Sequence, residues 1–99
     1  MNTELSVTED TTINFTVPSK YKVILLNDDK TPMQFVIELL VHIFNKDPAE
    51  AEAVTMEVHA KGRGIAGVYF FEIAEQKVHE ATVISRNNGY PLSFKIEEE

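Results

Sequence analysis

The side chains best placed to do chemistry are Asn27, Asp28 and Asp29, three in a row, together with His59. The run offers an amide oxygen and two carboxylates, and a neutral imidazole adds a ring nitrogen, so the set is rich in acceptors for a cationic group. Taken alone, the same residues read as an ordinary turn whose side chains bond nearby backbone, and as a cation near the end of a helix. Their neighbours argue for more. Thr31-Pro32-Met33 and Val36 follow the acidic turn, and Thr55 and Val58 precede His59. Polar and apolar groups therefore converge on one place, the combination that ligand pockets use. An enzymatic reading would make Asp28 and His59 an acid–base pair acting on peptides. No nucleophile or metal supports it: the chain has no Cys, and His42 and His79 stand at no metal-ligand spacing to each other or to His59. Those two histidines read as structural or solvent-facing, Glu97-Glu98-Glu99 as a solvated end, and there is no glycine-rich phosphate loop.

The elements that must position these groups follow from local pattern. Tyr21 to Leu26 is a β-branched and aliphatic run closed by the Asn-Asp-Asp turn, which predicts a strand. Thr31-Pro32-Met33-Gln34 has the grammar of a capping box, with Thr31 as N-cap and Pro32 at the first helical position, and Phe35, Val36, Leu39, Leu40 and Ile43 continue one apolar face through Phe44. Asp47-Pro48-Ala49-Glu50 repeats the grammar. It opens a second helix bearing Ala51, Val54, Thr55 and Val58 on one side and ending near Lys61-Gly62. Gly64 to Phe71 predicts a second strand, with Gly67 allowing close backbone approach. A third helix runs from Glu72 to about Asn87, marked by Ile73, Ala74, Lys77, Val78, Ala81 and Ile84 and stopped by Asn88-Gly89. Beyond Pro91, Leu92, Phe94 and Ile96 face one way and Ser93 and Lys95 the other, as in a strand. The order β-α-α-β-α-β predicts an α+β fold, a small three-stranded antiparallel sheet packed against three helices. Residues 1–18, rich in Thr and acids, are expected to form a flexible N-terminal tail ahead of a core domain over 19–99, with an edge strand through Ile13, Phe15 and Val17 as the alternative.

Composition narrows the function classes. The chain has 99 residues, 43% hydrophobic and 25% charged, which suits one soluble globular domain. Its net charge of −7 repels phosphate backbones and anionic membranes, and its nine Lys and Arg are spread singly from Lys20 to Lys95, so neither nucleic acid nor membrane is expected as a partner. The longest apolar runs, Val23 to Leu26 and Val68 to Phe71, fall far short of the ~20 residues of a membrane helix. Met1 to Asp10 lacks Lys and Arg, the wrong sign for a secretory signal, and a reducing cytoplasm fits the absence of Cys.

Several stretches together resemble the ClpS adaptor family, small proteins that hand substrates with destabilising N-terminal residues to a Clp unfoldase. They are Tyr21-Lys22-Val23-Ile24-Leu25-Leu26-Asn27-Asp28-Asp29, Thr31-Pro32-Met33 with Phe35-Val36, and Val58-His59 before Gly62. Ile65, Gly67-Val68, Glu72-Ile73-Ala74-Glu75 with Lys77-Val78, and Pro91-Leu92 complete them, so the resemblance spans Tyr21 to about Ile96. It implies a fold similar to the C-terminal domain of the ribosomal stalk protein, no catalysis and no cofactor or metal. The alternative function is a general protein-interaction domain of stalk type without specificity for termini.

The resemblance implies that Asn27, Asp28 and His59 bind the α-ammonium group of a substrate's first residue. Chemistry agrees: an α-amine with pKa of about 7.7–8.0 is mostly protonated at neutral pH and presents three donors that need acceptors. An interior peptide bond would leave Asp28 unpaired, a means of selecting termini. Thr31, Pro32, Met33, Val36, Thr55, Val58 and Leu92 are implied to line the pocket for a first side chain of Leu, Phe, Tyr or Trp. Glu72 and Lys77 are implied to dock on the N-terminal domain of ClpA or a ClpC-type unfoldase, with the adaptor a monomer in the cytoplasm. One departure stands out. Family members commonly carry Met where this chain has Thr55, a shorter residue that leaves room at the pocket floor.

Overall fold

A computed structural model describes residues 17–99. The expected tail up to residue 16, with Ile13 and Phe15 of its edge-strand alternative, lies outside the described residues; Val17, the third position of that alternative, is 86% exposed and in no strand. Six elements follow in the order β1 (Lys20–Leu26), α1 (Met33–His42), α2 (Pro48–Lys61), β2 (Arg63–Phe70), α3 (Phe71–Asn87) and β3 (Ser93–Glu98). The strands form one antiparallel sheet in the order β2-β1-β3. This is the α+β fold expected from the pattern. The central position of β1 suits its composition: Val23, Ile24 and Leu25 are all buried. Val23 and Leu25 face the helices with Phe94 and Ile96 of β3, over a core that includes Val36, Leu39, Leu40, Phe44 and Val58. No helix among the described residues is long and apolar enough to cross a membrane.

The register slips by one residue between Val23 and Ile24, which pair with Gly67 and Ile65 and leave Ala66 as a bulge. The bulge points Ala66 into the core beside Gly64 and Gly67, so three consecutive inward positions on β2 are small. Gly64 needs that smallness, because a Cβ there would stand 2.8 Å from the Val58 Cγ2 of α2. The expected close approach at Gly67 is also present. The Tyr69 ring of the same strand lies over Gly67 where a Cβ would go.

Helix α2 forms by the expected rules. Asp47 Oδ1 accepts the Glu50 N–H at 2.9 Å, Pro48 opens the helix, and Gly62 closes it at φ +90° while its N–H bonds the Val58 carbonyl at 2.8 Å. Helix α1 departs from them. Pro32 occupies the N-cap position with no side-chain cap, and the Thr31 hydroxyl donates instead to Asp28 Oδ2 at 2.9 Å. The Thr31 capping box is therefore not formed: the extended Pro32 takes the N-cap position, one residue beyond Thr31, and Thr31 belongs to the preceding loop. Helix α1 also stops at His42, and Phe44 enters the core from beyond its end.

Helix α3 begins at Phe71, with no residue between it and β2, so Phe71 belongs to the helix rather than the strand. Its ring meets Tyr21 edge to face at 5.0 Å. The buried stripe of α3 is Ala74, Ala81 and Ser85, with Lys77 and Val78 half-buried; Ile73 and Ile84, expected to help mark the helix's apolar pattern, are exposed. Small residues let the helix sit close to the sheet, and Ser85 satisfies its hydroxyl on the Ala81 carbonyl at 2.7 Å. Lys77 reaches across to the end of α1, donating to the Ile43 carbonyl at 2.8 Å with its ammonium 5.4 Å from the Tyr69 ring centre.

The sheet's outer face corrects one sequence expectation. Lys20 and Lys22 of β1, Arg63 of β2 and Lys95 of β3 share it with Glu97, which accepts a hydrogen bond from Arg63 at 3.3 Å and forms an ion pair with Lys95 at 3.6 Å. Basic residues spread singly along the chain converge because strands place alternate residues of three separate segments on one face. Ile24 shares that face yet is only 2% exposed, in the central strand between Ile65 of β2 and Lys95 of β3.

Gly62 and Gly89 both have positive φ, +90° and +82°, and a Cβ at either would meet nothing within 4 Å. Backbone strain is then the whole cost of substitution. Alanine at either position should destabilise the fold by roughly 1 kcal/mol, while asparagine, which tolerates the left-handed region, should cost less. Urea denaturation of the four variants checks this, and equal costs for Ala and Asn would rule out strain as the cause.

Candidate functional site

One backbone bond brings the polar candidates together. The Asn27 N–H donates to the Gly62 carbonyl at 3.0 Å, tying the end of β1 to the C-cap of α2. His59 sits in the last turn of α2, so this bond sets the imidazole beside the Asn-Asp-Asp loop. Asp28 then folds that loop on itself. Its Oδ1 accepts the N–H groups of Lys30 and Thr31, both at 2.8 Å, and its Oδ2 accepts the Thr31 hydroxyl. The expectation that Asp28 lacks a partner without a ligand therefore fails, since three donors of its own loop hold it. A carboxylate offers about four lone-pair sites, so Asp28 retains acceptor capacity for one further donor. Partial burial pushes the carboxyl pKa up, but the Thr31 and Lys30 amides, the Thr31 hydroxyl and the Arg86 charge outweigh it and hold it below the usual value. The loop presents a fixed negative charge.

Beneath the loop opens a cavity of about 270 Å³, lined by Leu26, Asn27, Asp28, Asp29, Thr31, Met33, Val36, Thr55, Val58, His59 and Leu92. Acceptors stand at its mouth, where Asn27 and His59 are exposed and Asp28 is half-buried. Buried Val36, Thr55, Val58 and Leu92 form its inner wall, with Met33 partly exposed at the rim. Thr55 is 3% exposed and its hydroxyl donates to the Ala51 carbonyl at 2.8 Å, which leaves the methyl as its apolar branch. The arrangement suits a ligand with a cationic head and an apolar body.

The cavity gathers nearly all the residues singled out from sequence. Pro32 is the exception, exposed at the helix N-cap and absent from the lining. Leu26 joins the wall, which its place as the last residue of a strand did not signal. Glu72 and Lys77 lie apart from it. Glu72 borders a second hollow with Pro18, Ser19, Tyr21, Phe70 and Phe71, and Lys77 is engaged with Ile43 and Tyr69. Sequence reasoning missed Arg86, whose Nη1 donates to the carbonyls of Tyr90 and Leu92 at 3.0 and 2.7 Å. A side chain bonded to the backbone of a turn leaves no periodic trace in a sequence.

The sequence model described as ATP-dependent Clp protease adaptor protein ClpS matches residues 16–95. The chain belongs to the ClpS adaptor family. It is 52% identical over 81 residues to the ATP-dependent Clp protease adapter protein ClpS of Clostridium acetobutylicum, covering 82% of this chain and 80% of that one. It is 39% identical over 99 residues to that of Acetivibrio thermocellus, covering both chains in full. Among solved structures it is similar to Agrobacterium tumefaciens ClpS2 bound to L-phenylalaninamide, with a TM-score of 0.80, 40% identity, and coverage of 84% of this chain and 100% of that one. The ClpS resemblance and the cavity share residues from Leu26 to Val36, Val58 and His59, and Leu92, while Thr55, the departure from the family, lines the cavity beside them.

The lowered Asp28 pKa carries a sign. A carboxyl depressed in the folded state stabilises the fold above its unfolded value, and that stability is lost as pH falls through the folded value. Asp28→Asn should therefore be less stable than the parent at neutral pH, by on the order of 1 kcal/mol, with the difference closing in acid. Thermal melts of both proteins across pH test it; a difference that ignores pH would show that the charge contributes nothing.

Proposed function

We propose that this protein is a non-catalytic cytoplasmic adaptor that captures polypeptides by a free amino terminus and a bulky first side chain and delivers them to a Clp protease. One observation carries the reading: Asn27, Asp28 and His59 stand at the mouth of a cavity whose interior is apolar. The protonated α-amine fills the remaining acceptor positions of Asp28 and its neighbours, and the first side chain, Leu, Phe, Tyr or Trp, enters between Val36, Val58 and Leu92. Phenylalaninamide, the ligand of the Agrobacterium relative, is such a residue with its α-amine free. Burying an aromatic or Leu side chain contributes roughly 1.5–3 kcal/mol, and each hydrogen bond to a charged group a similar amount before ordering costs. Micromolar affinity, about 8 kcal/mol, lies at the upper end of what the buried side chain and two such bonds supply before ordering costs. The methyl of Thr55 leaves the floor wider than a Met would.

A Phe-initiated peptide should bind and its N-acetylated twin should lose at least tenfold, because acetylation removes both charge and donors. Asp28→Ala should lose several-fold on the free-amine peptide alone. Equal binding of the acetylated peptide in a titration would leave a stalk-type interaction module as the better reading.

Docking on the N-terminal domain of ClpA or a ClpC-type unfoldase is assigned to Glu72 and Lys77, with the adaptor acting as a monomer. Residues 1–18, rich in Thr and acids and able to span on the order of 60 Å when extended, are assigned to delivery rather than capture. Lys77 already bonds the Ile43 carbonyl, so reversing its charge would disturb the fold as well as any interface. Glu72 is exposed and the cleaner probe. Glu72→Lys should keep peptide affinity within twofold and weaken docking on the isolated unfoldase domain about tenfold or more. Unchanged docking would move the surface elsewhere.

A further inference from the structure

Leu92 supplies a wall of the cavity and is 1% exposed, yet it belongs to no strand or helix. The segment Tyr90-Pro91-Leu92 connects α3 to β3, and within it Pro91 has no N–H to give. Two side-chain contacts fix the segment. The Tyr90 ring packs edge-on against Phe35 of α1 at 4.8 Å, next to Val36 of the cavity wall. The Arg86 guanidinium, from the last turn of α3, spans Pro91 by donating to the carbonyls on both sides of it, Tyr90 at 3.0 Å and Leu92 at 2.7 Å. Both bonds are charge-assisted, and both come from one nitrogen, Nη1, so the two carbonyls are held at a set separation.

We propose that Arg86 is a positioning residue of the side-chain pocket: by holding the Tyr90 and Leu92 carbonyls it fixes where the Leu92 wall stands, and so how tightly a bulky first residue is gripped. The proposal rests on the reading of the cavity as a site for an N-terminal residue. Arg86 is absent from the cavity lining, so it acts through Leu92. The same charge is among those that hold Asp28 ionised, which places the end of α3 close to the mouth of the site. A large side chain needs the Leu92 wall; a first residue as small as alanine does not reach it. The effect of losing Arg86 must therefore scale with the size of the first side chain.

The test is a set of titrations with Phe-initiated and Ala-initiated peptides on the full chain, Arg86→Met, Arg86→Lys, Leu92→Ala and the Arg86→Met/Leu92→Ala double variant. Arg86→Met should lose about tenfold on the Phe peptide and less than about twofold on the Ala peptide. Arg86→Lys, which restores charge and donors, should recover most of the loss. The double variant should bind the Phe peptide no more weakly than Leu92→Ala alone, because the two act as one unit. Arg86→Gln carries the same comparison if Arg86→Met does not fold. Equal losses on both peptides, or losses that add in the double variant, would overturn the proposal and make Arg86 a general structural residue. An unmutated chain that binds no Phe peptide would overturn the adaptor reading itself, a result distinct from a parent that binds and an Arg86 variant that matches it.

Discussion

The hydrogen bond from the Asn27 N–H to the Gly62 carbonyl decides where every polar group of the site stands. It joins two segments far apart in sequence, the exit of the central strand and the exit of α2. Its geometry depends on Gly62 at φ +90°, which turns the chain out of the helix and straight into β2. Leu26 pairs with Arg63 immediately below, so the bond extends the β1–β2 ladder by one step past the sheet. With the two exits joined, His59 and the Asn-Asp-Asp loop share one rim. The loop is then rigid in its own right, since Asp28 binds two amides and a hydroxyl within three residues. A preorganised acceptor set loses little freedom when a ligand arrives.

The cavity below that rim is a gap in the core. Val36, Val58 and Leu92 are core residues by burial, yet each exposes a face to the hollow. Such a gap leaves apolar lining facing water, a standing cost that an entering side chain removes. What holds the gap open is close packing elsewhere. Gly64 and Ala66 bring β2 against α2, and Ala74, Ala81 and Ser85 bring α3 down on the sheet. The large residues Phe44, Phe94 and Tyr69 cluster together, with ring centres 5.8 and 6.4 Å from Phe44.

What the sequence made legible follows from how local each interaction is. The Asp47 cap, the Gly62 stop and the alternation in β3 involve neighbours along the chain, and each was readable from residue types alone. Thr31 was misread because the helix starts one residue later than the capping pattern places it, and only the folded loop puts Asp28 within 2.9 Å of its hydroxyl. The stripe of α3 was blurred because its most buried residues are small, while Ile73 and Ile84 carry hydrophobicity on exposed flanks. The basic outer face needed the register of three strands. As for the site, the acceptors and their apolar company were visible in the chain, but their assignment to an amine and a pocket came through the ClpS resemblance. Pro32 and Arg86 mark the limit of that route: the first matched the motif without lining the cavity, and the second shapes the cavity from outside.

Helix α3 links the two surfaces assigned to function. Glu72 lies in its first turn and Arg86 in its last, separated by about 21 Å of helix at 1.5 Å per residue. Between them the helix is pinned at Lys77 to the end of α1 and seated on the sheet by Ala74, Ala81 and Ser85. Anchored separately at these points, the helix is held to the sheet and to α1 between its two ends. Changes that far apart with no shared partners add in free energy. The capture and docking proposed for the two ends of α3 are therefore separable properties of one element, and neither requires the fold to change shape for the other.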